Sequence, residues 1–91
     1  MANNQYTKDP SAVLDYVFDW TEWLATVETI TDHTITADTG IAVDSSTESD
    51  GKVTVWLSGG TAGENYKVAC LITTSAGRTD ERTIWIKVTD R

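Results

Sequence analysis

His33 is the only histidine of this chain and Cys70 its only cysteine, so the two residue types that most often do chemistry occur once each. A single imidazole holds a metal ion only with partners at ligand spacing, and His33 has none, so it reads as a structural or surface residue. Cys70 falls on the apolar phase of an alternating run, and no histidine stands near in sequence to generate a thiolate. It reads as a small core residue. Asp15 and Asp19 are an imaginable carboxylate pair, but acid–base work needs a pocket that shifts one pKa, and both fall on the polar phase of their segment. The run Asp44–Gly51 has carboxylates at its first, fifth and seventh positions and glycine at its eighth. A calcium loop of the EF-hand type requires glycine at the sixth and a bidentate glutamate at the twelfth, which here is Val55. Gly59–Gly63 is glycine-rich, yet no Gly-Lys-Ser/Thr follows to cradle a phosphate. The expectation is a protein that is not an enzyme and uses no metal or cofactor.

The four tryptophans carry more information. Trp20 and Trp23 read as core, whereas Trp56, Trp85 and Leu71 fall on the outward phase of their strands. Loops or an N-terminal arm cover such residues, or they anchor a protein interface, where aromatic side chains concentrate binding energy. Trp56, Trp85 and Leu71, with the cations Arg78 and Arg82, are therefore the candidate interface residues.

Strands must position them. Tyr66, Val68, Cys70 and Ile72 alternate with Lys67, Ala69, Leu71 and Thr73; Ile84, Ile86 and Val88 alternate with Thr83, Trp85, Lys87 and Thr89. Period two with many β-branched residues means a strand with one buried face. The linking Ser75-Ala76-Gly77-Arg78 makes the pair a β-hairpin. Upstream, the loop Ser58–Gly63 delivers Tyr66 to the head of its strand, the position of a tyrosine corner, whose hydroxyl bonds back to the loop backbone. Cys70 follows that tyrosine by four residues rather than the antibody spacing of two, so no intersheet disulfide is expected.

Residues 13–26 hold two patterns. Asp9-Pro10 suits a helix start, with Val13, Val17, Trp20 and Leu24 on one face. A strand over 14–20 instead gathers Leu14, Tyr16, Phe18 and Trp20 on one face and both aspartates on the other, and is preferred, with a short helical turn over Thr21–Ala25. Glu28–Ala37 is strand-like, but Ile30 and Ile35 are out of phase, which a bulge near Asp32-His33 or a break into two strands repairs. Asp38-Thr39-Gly40 is a turn, Ile41–Val43 a short strand, Asp44–Gly51 an acidic loop and Lys52–Ser58 a strand. The sum is an all-β chain, an immunoglobulin-like two-sheet antiparallel β-sandwich of about six to seven short strands. Residues 1–12 are expected to be a flexible polar arm and residues 13–91 the sandwich domain.

Thr, Val and Ile supply 30 of the 91 residues, which favours strands over helices. A lone cysteine leaves the fold to packing, as suits a reducing cytoplasm. No apolar run approaches membrane-spanning length and the N-terminus lacks a leader pattern, so no membrane contact is expected. Net charge is −7, and it is segregated: ten acidic residues and no Lys or Arg lie between Asp9 and Gly51, against six basic and four acidic from Lys52 onward. This balance disfavours direct nucleic-acid binding, which needs clustered cations. It leaves two readings, a solvated acidic surface or an acidic patch that meets a basic patch on a neighbouring copy.

Three segments together resemble a known family: Lys8-Asp9-Pro10…Leu14-Asp15-Tyr16…Asp19-Trp20…Trp23-Leu24; Val55-Trp56-Leu57-Ser58-Gly59-Gly60-Thr61-Ala62-Gly63…Tyr66; and Thr73-Thr74…Gly77-Arg78-Thr79-Asp80-Glu81-Arg82. The combination resembles the fiber-tail adaptors, small virion proteins of tailed bacteriophages. The resemblance implies an immunoglobulin-like sandwich present in many copies at the neck or tail of the virion, joining tail fibre to tail and assembled in the host bacterial cytoplasm. It carries no catalytic motif. Partners would be other tail and neck proteins, the fibre, and further copies in a homo-oligomeric ring. Capsid decoration, another small virion role, and a carbohydrate-binding module that uses exposed tryptophans as sugar platforms are the competing functions.

Overall fold

Alternation of β-branched and polar residues becomes seven strands and no helix in the computed structural model, which describes residues 5–90. They are β1 (Gln5–Lys8), β2 (Leu14–Asp19), β3 (Ile30–Ala37), β4 (Ile41–Ser49), β5 (Lys52–Gly59), β6 (Asn65–Thr74) and β7 (Thr79–Val88). One sheet has the order β1-β7-β6-β3 and the other β2-β5-β4. All neighbours are antiparallel except β1 and β7, which run parallel. The orders β7-β6-β3 and β2-β5-β4 are those of strands G-F-C and B-E-D in an immunoglobulin-like sandwich, with the first strand added to G.

The inward phases close on one another. Tyr16 and Phe18 of β2, Ile41 of β4, and Val53, Val55 and Leu57 of β5 face Val68, Cys70 and Ile72 of β6 and Ile84, Ile86 and Val88 of β7. Burying one such aliphatic side chain is worth about 1.5–3 kcal/mol, so two interdigitated faces stabilise the layers without a cross-link. Trp20 is wholly buried at the end of β2, and the amides of Trp23 and Leu24 both donate to its carbonyl in a single turn. The strand reading of this region therefore holds over Leu14–Asp19. Leu14, at the rim, is more exposed than its phase implies.

The phase break between Ile30 and Ile35 is a bulge: the β3–β6 register shifts between Ile30 and Asp32. The extra residue turns Ile30 inward and leaves Ile35 packed against the core.

Two expectations need correction. Asp44–Gly51 is not a loop; β4 continues through Asp44 to Ser49 with one register shift between Val43 and Ser45. The reversal is only Asp50-Gly51, with φ of +53° and +83°. Positive φ at both central residues suits an Asp-Gly hairpin turn, and the Glu48 carboxylate accepts the Gly51 N–H at 3.0 Å. Asp44–Ser49 contains no apolar residue to mark a phase, because it is the solvated edge of its sheet. The polar arm expected over residues 1–12 likewise contains β1, paired residue for residue with Trp85–Val88. Residues 1–4 of that arm lie outside the described residues.

Candidate functional site

The outer faces of the two sheets follow from the register. On the four-stranded sheet, Trp85 of β7 stands between Lys67 of β6 and Gln5 of β1, with Lys87 two residues along. Leu71 lies on the same face, between Glu81 and Thr34. On the three-stranded sheet, Trp56 of β5 stands between Asp15 of β2 and Ser45 of β4. Val17 is its diagonal neighbour. Trp56, Trp85 and Leu71 are 42%, 46% and 39% exposed, so neither loop nor β1 covers them among the described residues. The two tryptophans are not brought together; they lie on opposite sides of the sandwich.

Arg78 and Arg82 lie elsewhere and are already engaged. Arg82 is on the inward phase, opposite Cys70, and reaches across to the other sheet. Its Nη1 donates to the Asp19 carbonyl at 2.6 Å, and its guanidinium lies 4.2 Å from the Trp20 ring centre. Arg78, in the β6–β7 turn, binds the loop between β2 and β3. It donates to both oxygens of Glu28, from Nε at 2.9 Å and from Nη2 at 2.5 Å, and to the Trp23 carbonyl at 3.2 Å. Its guanidinium stacks 4.0 Å from the Trp23 ring centre. The two arginines thus clamp the β2–β3 connection onto the β6–β7 hairpin. Charge reversal at either disturbs the fold as well as any contact between molecules.

Glu28 is the acceptor at the centre of this clamp. It also takes the Ala25 N–H at 3.0 Å and the Thr74 hydroxyl. These donors, Arg78 foremost, hold its carboxyl down at about 2, against the usual 4.5. A carboxylate whose folded pKa is depressed adds stability above its unfolded pKa and loses it as pH falls through the folded value. The melting-temperature gap between wild type and Glu28→Gln is therefore expected to be full near neutral pH and to close from about pH 4.5 towards 2. A gap that stays constant across that range would remove the ionised clamp from the account. Nothing in the periodicity pointed to Glu28, because its partners come from residues 25, 74 and 78.

The remaining candidates for chemistry have structural surroundings. His33 Nε2 lies 3.1 Å from the Ser46 hydroxyl and so links β3 to β4, the adjoining edges of the two sheets. Cys70 is buried, and burial pushes its thiol up to about 11, which leaves it protonated and a poor nucleophile at neutral pH. Asp19 accepts the Thr21 hydroxyl and N–H, which lower its pKa, so it is no raised acid partner for Asp15. Among the described residues, no group of three or more His, Cys, Asp or Glu is placed to hold a metal ion.

Tyr66 heads β6 with its hydroxyl accepting the Thr61 N–H at 2.9 Å, the bond that defines a tyrosine corner. Its ring lies against Gly40 and Gly60, whose own backbones are joined by the Gly60 N–H to Gly40 carbonyl bond of 3.1 Å.

Residues 8–87 match a family model described as podophage GP4 fiber-tail adaptor protein gp77. The match spans both sheets and every residue of the two outer faces named above except Gln5. None of the curated proteins matches the chain.

Proposed function

Since the chain belongs to the podophage GP4 fiber-tail adaptor family, we propose that it is a non-enzymatic connector of the virion, present in several copies where tail fibres meet the tail. The family match carries this reading. The exposed tryptophans on both outer faces support it, because a connector must offer contact surfaces to more than one neighbour. Assembly takes place in the host cytoplasm, where a fold without a disulfide suffers no reduction. Copies arranged around the tail axis form a ring through protein–protein contacts, without membrane or direct nucleic-acid binding.

The test is made on particles. Mass spectrometry of purified virions is expected to find the chain in multiple copies, and particles made without it are expected to carry tails lacking fibres. A chain absent from mature particles would make it an assembly factor. Fibres retained on particles that lack it would end the connector reading. Binding of the isolated domain to a glycan array would favour the carbohydrate module instead.

A further inference from the structure

The two exposed tryptophans lie on the outer faces of opposite sheets, and the charged side chains nearest each differ in sign. Trp85 is flanked by Lys67 on the neighbouring strand and by Lys87 two residues on, while Asp38 stands on the far side of Lys67 and accepts its backbone N–H at 2.9 Å. Trp56 is flanked by Asp15, with Val17 beside it and Asp44 at the Ser58 end of the same face, where the Ser58 hydroxyl donates to it at 2.9 Å. The only ion pair among the described residues is Arg78–Glu28, so Asp15, Lys67 and Lys87 have no counter-ion within 4 Å among those residues. At the far ends of the faces the order of charge changes. Glu81 and Asp32 flank the Leu71 end of one face, and Lys52, beside Asp19, closes the other.

We propose that the Trp85–Lys67–Lys87 face of one copy docks on the Trp56–Asp15–Val17 face of the next, head to tail. The inference rests on the multi-copy reading above and names its contact. Two like faces laid the same way round would set Lys67 and Lys87 against the same lysines, or Asp15 against Asp15, and like charges in a closing interface are repelled; turned end for end they would set each tryptophan on the Leu71 or Lys52 end of its partner instead of on a second tryptophan. Unlike faces place an aromatic side chain at the centre of each patch with complementary charge at the rim, the usual arrangement of binding hot spots. Both tryptophan patches lie towards the Tyr66 end of the sandwich, so copies pointing the same way bring Trp85 and its lysines opposite Trp56 and Asp15. The Glu81–Asp32 end then meets the end where Lys52 and Asp19 stand side by side. A heterologous contact leaves each copy one face to give and one to receive, and equal orientation lets the series close around an axis.

Sedimentation of the isolated chain at increasing concentration and salt tests this. Wild type is expected to associate, less so at high salt. A copy with Asp15→Lys and Trp56→Ala, or one with Lys67→Glu and Trp85→Ala, is expected to associate about tenfold or more weakly by itself. Their melting temperatures should stay near wild type, since these side chains point outward. An equimolar mixture of the two is expected to form a heterodimer and nothing larger, because only one intact face of each remains. A variant that still dimerises alone would make the contact like-to-like and overturn the proposal. Wild type that stays monomeric at about 1 mM would also overturn it. The connector reading would survive that result, since it depends on the composition and fibres of the particle.

Discussion

Gly60→Ala is expected to cost about 2–4 kcal/mol, a fall in melting temperature of about 10–25 °C for a domain of this size. Two separate penalties add. Gly60 has φ of +97°, where an L side chain is strained, and a Cβ there would lie 2.7 Å from Val88 Cγ2. Val88 is wholly buried at the end of β7, and a close-packed interior resists the shift that the added carbon demands. Gly40→Ala should behave alike, because at φ +110° its Cβ would meet Tyr66 Cε1 at 2.8 Å. Gly63→Ala supplies the comparison. Its φ is +90° but nothing lies within 4 Å of the added carbon, so only the backbone strain applies, about 1 kcal/mol. Chemical denaturation of the three variants decides the matter. Equal losses at Gly60 and Gly63 would mean that close packing around Tyr66 and Val88 contributes nothing. The same corner joins β6 and β7, the strands that carry Lys67, Trp85 and Lys87.

Lys8→Ala is expected to cost about 2–5 kcal/mol, a large effect for a charged residue in a terminal strand. Lys8 is wholly buried, and its ammonium donates to the carbonyls of Asp9 at 2.9 Å and Gly59 at 2.8 Å. Burial lowers its pKa, partly offset by Asp9 and Asp44. The Lys8 carbonyl in turn accepts the Thr89 N–H at 2.9 Å, so this one residue ties β1 to the last residues after β7 and to the end of β5. Lys8→Met separates the contributions. It keeps most of the buried stem and loses only the donors, so it should cost about 1–3 kcal/mol. Urea denaturation that leaves both variants at wild-type stability would show that the buried ammonium is not needed to hold β1 in place.

Sequence periodicity alone determined much of this molecule. Alternation at Tyr66–Thr73, Thr83–Thr89 and Lys52–Ser58 marks strands because a half-buried strand must repeat every second residue, and the outward positions of Trp56, Trp85 and Leu71 follow from the same phase. The mismatch between Ile30 and Ile35 required either a bulge or a break into two strands, since one register slip flips a side chain to the opposite face, and the structure has the bulge, between Ile30 and Asp32. The family likeness was also carried by residues that can be read along the chain, and the family match covers residues 8–87.

Elsewhere the alternation was silent. β4 is an edge strand of serine, threonine and acidic residues, and only Asp50-Gly51 hints at its hairpin. β1 pairs with the strand farthest from it in sequence, a choice made by the backbone hydrogen bonds open on β7. Charge counting along the chain likewise grouped Arg78 and Arg82 with the free cations. Folding instead spends them on Glu28, Trp23, Asp19 and Trp20, because loops distant in sequence meet at one end of the sandwich. Which cations stay exposed beside Trp85, and which acid stands beside Trp56, depends on strand order and register, and those are set only when the two sheets close over their common core.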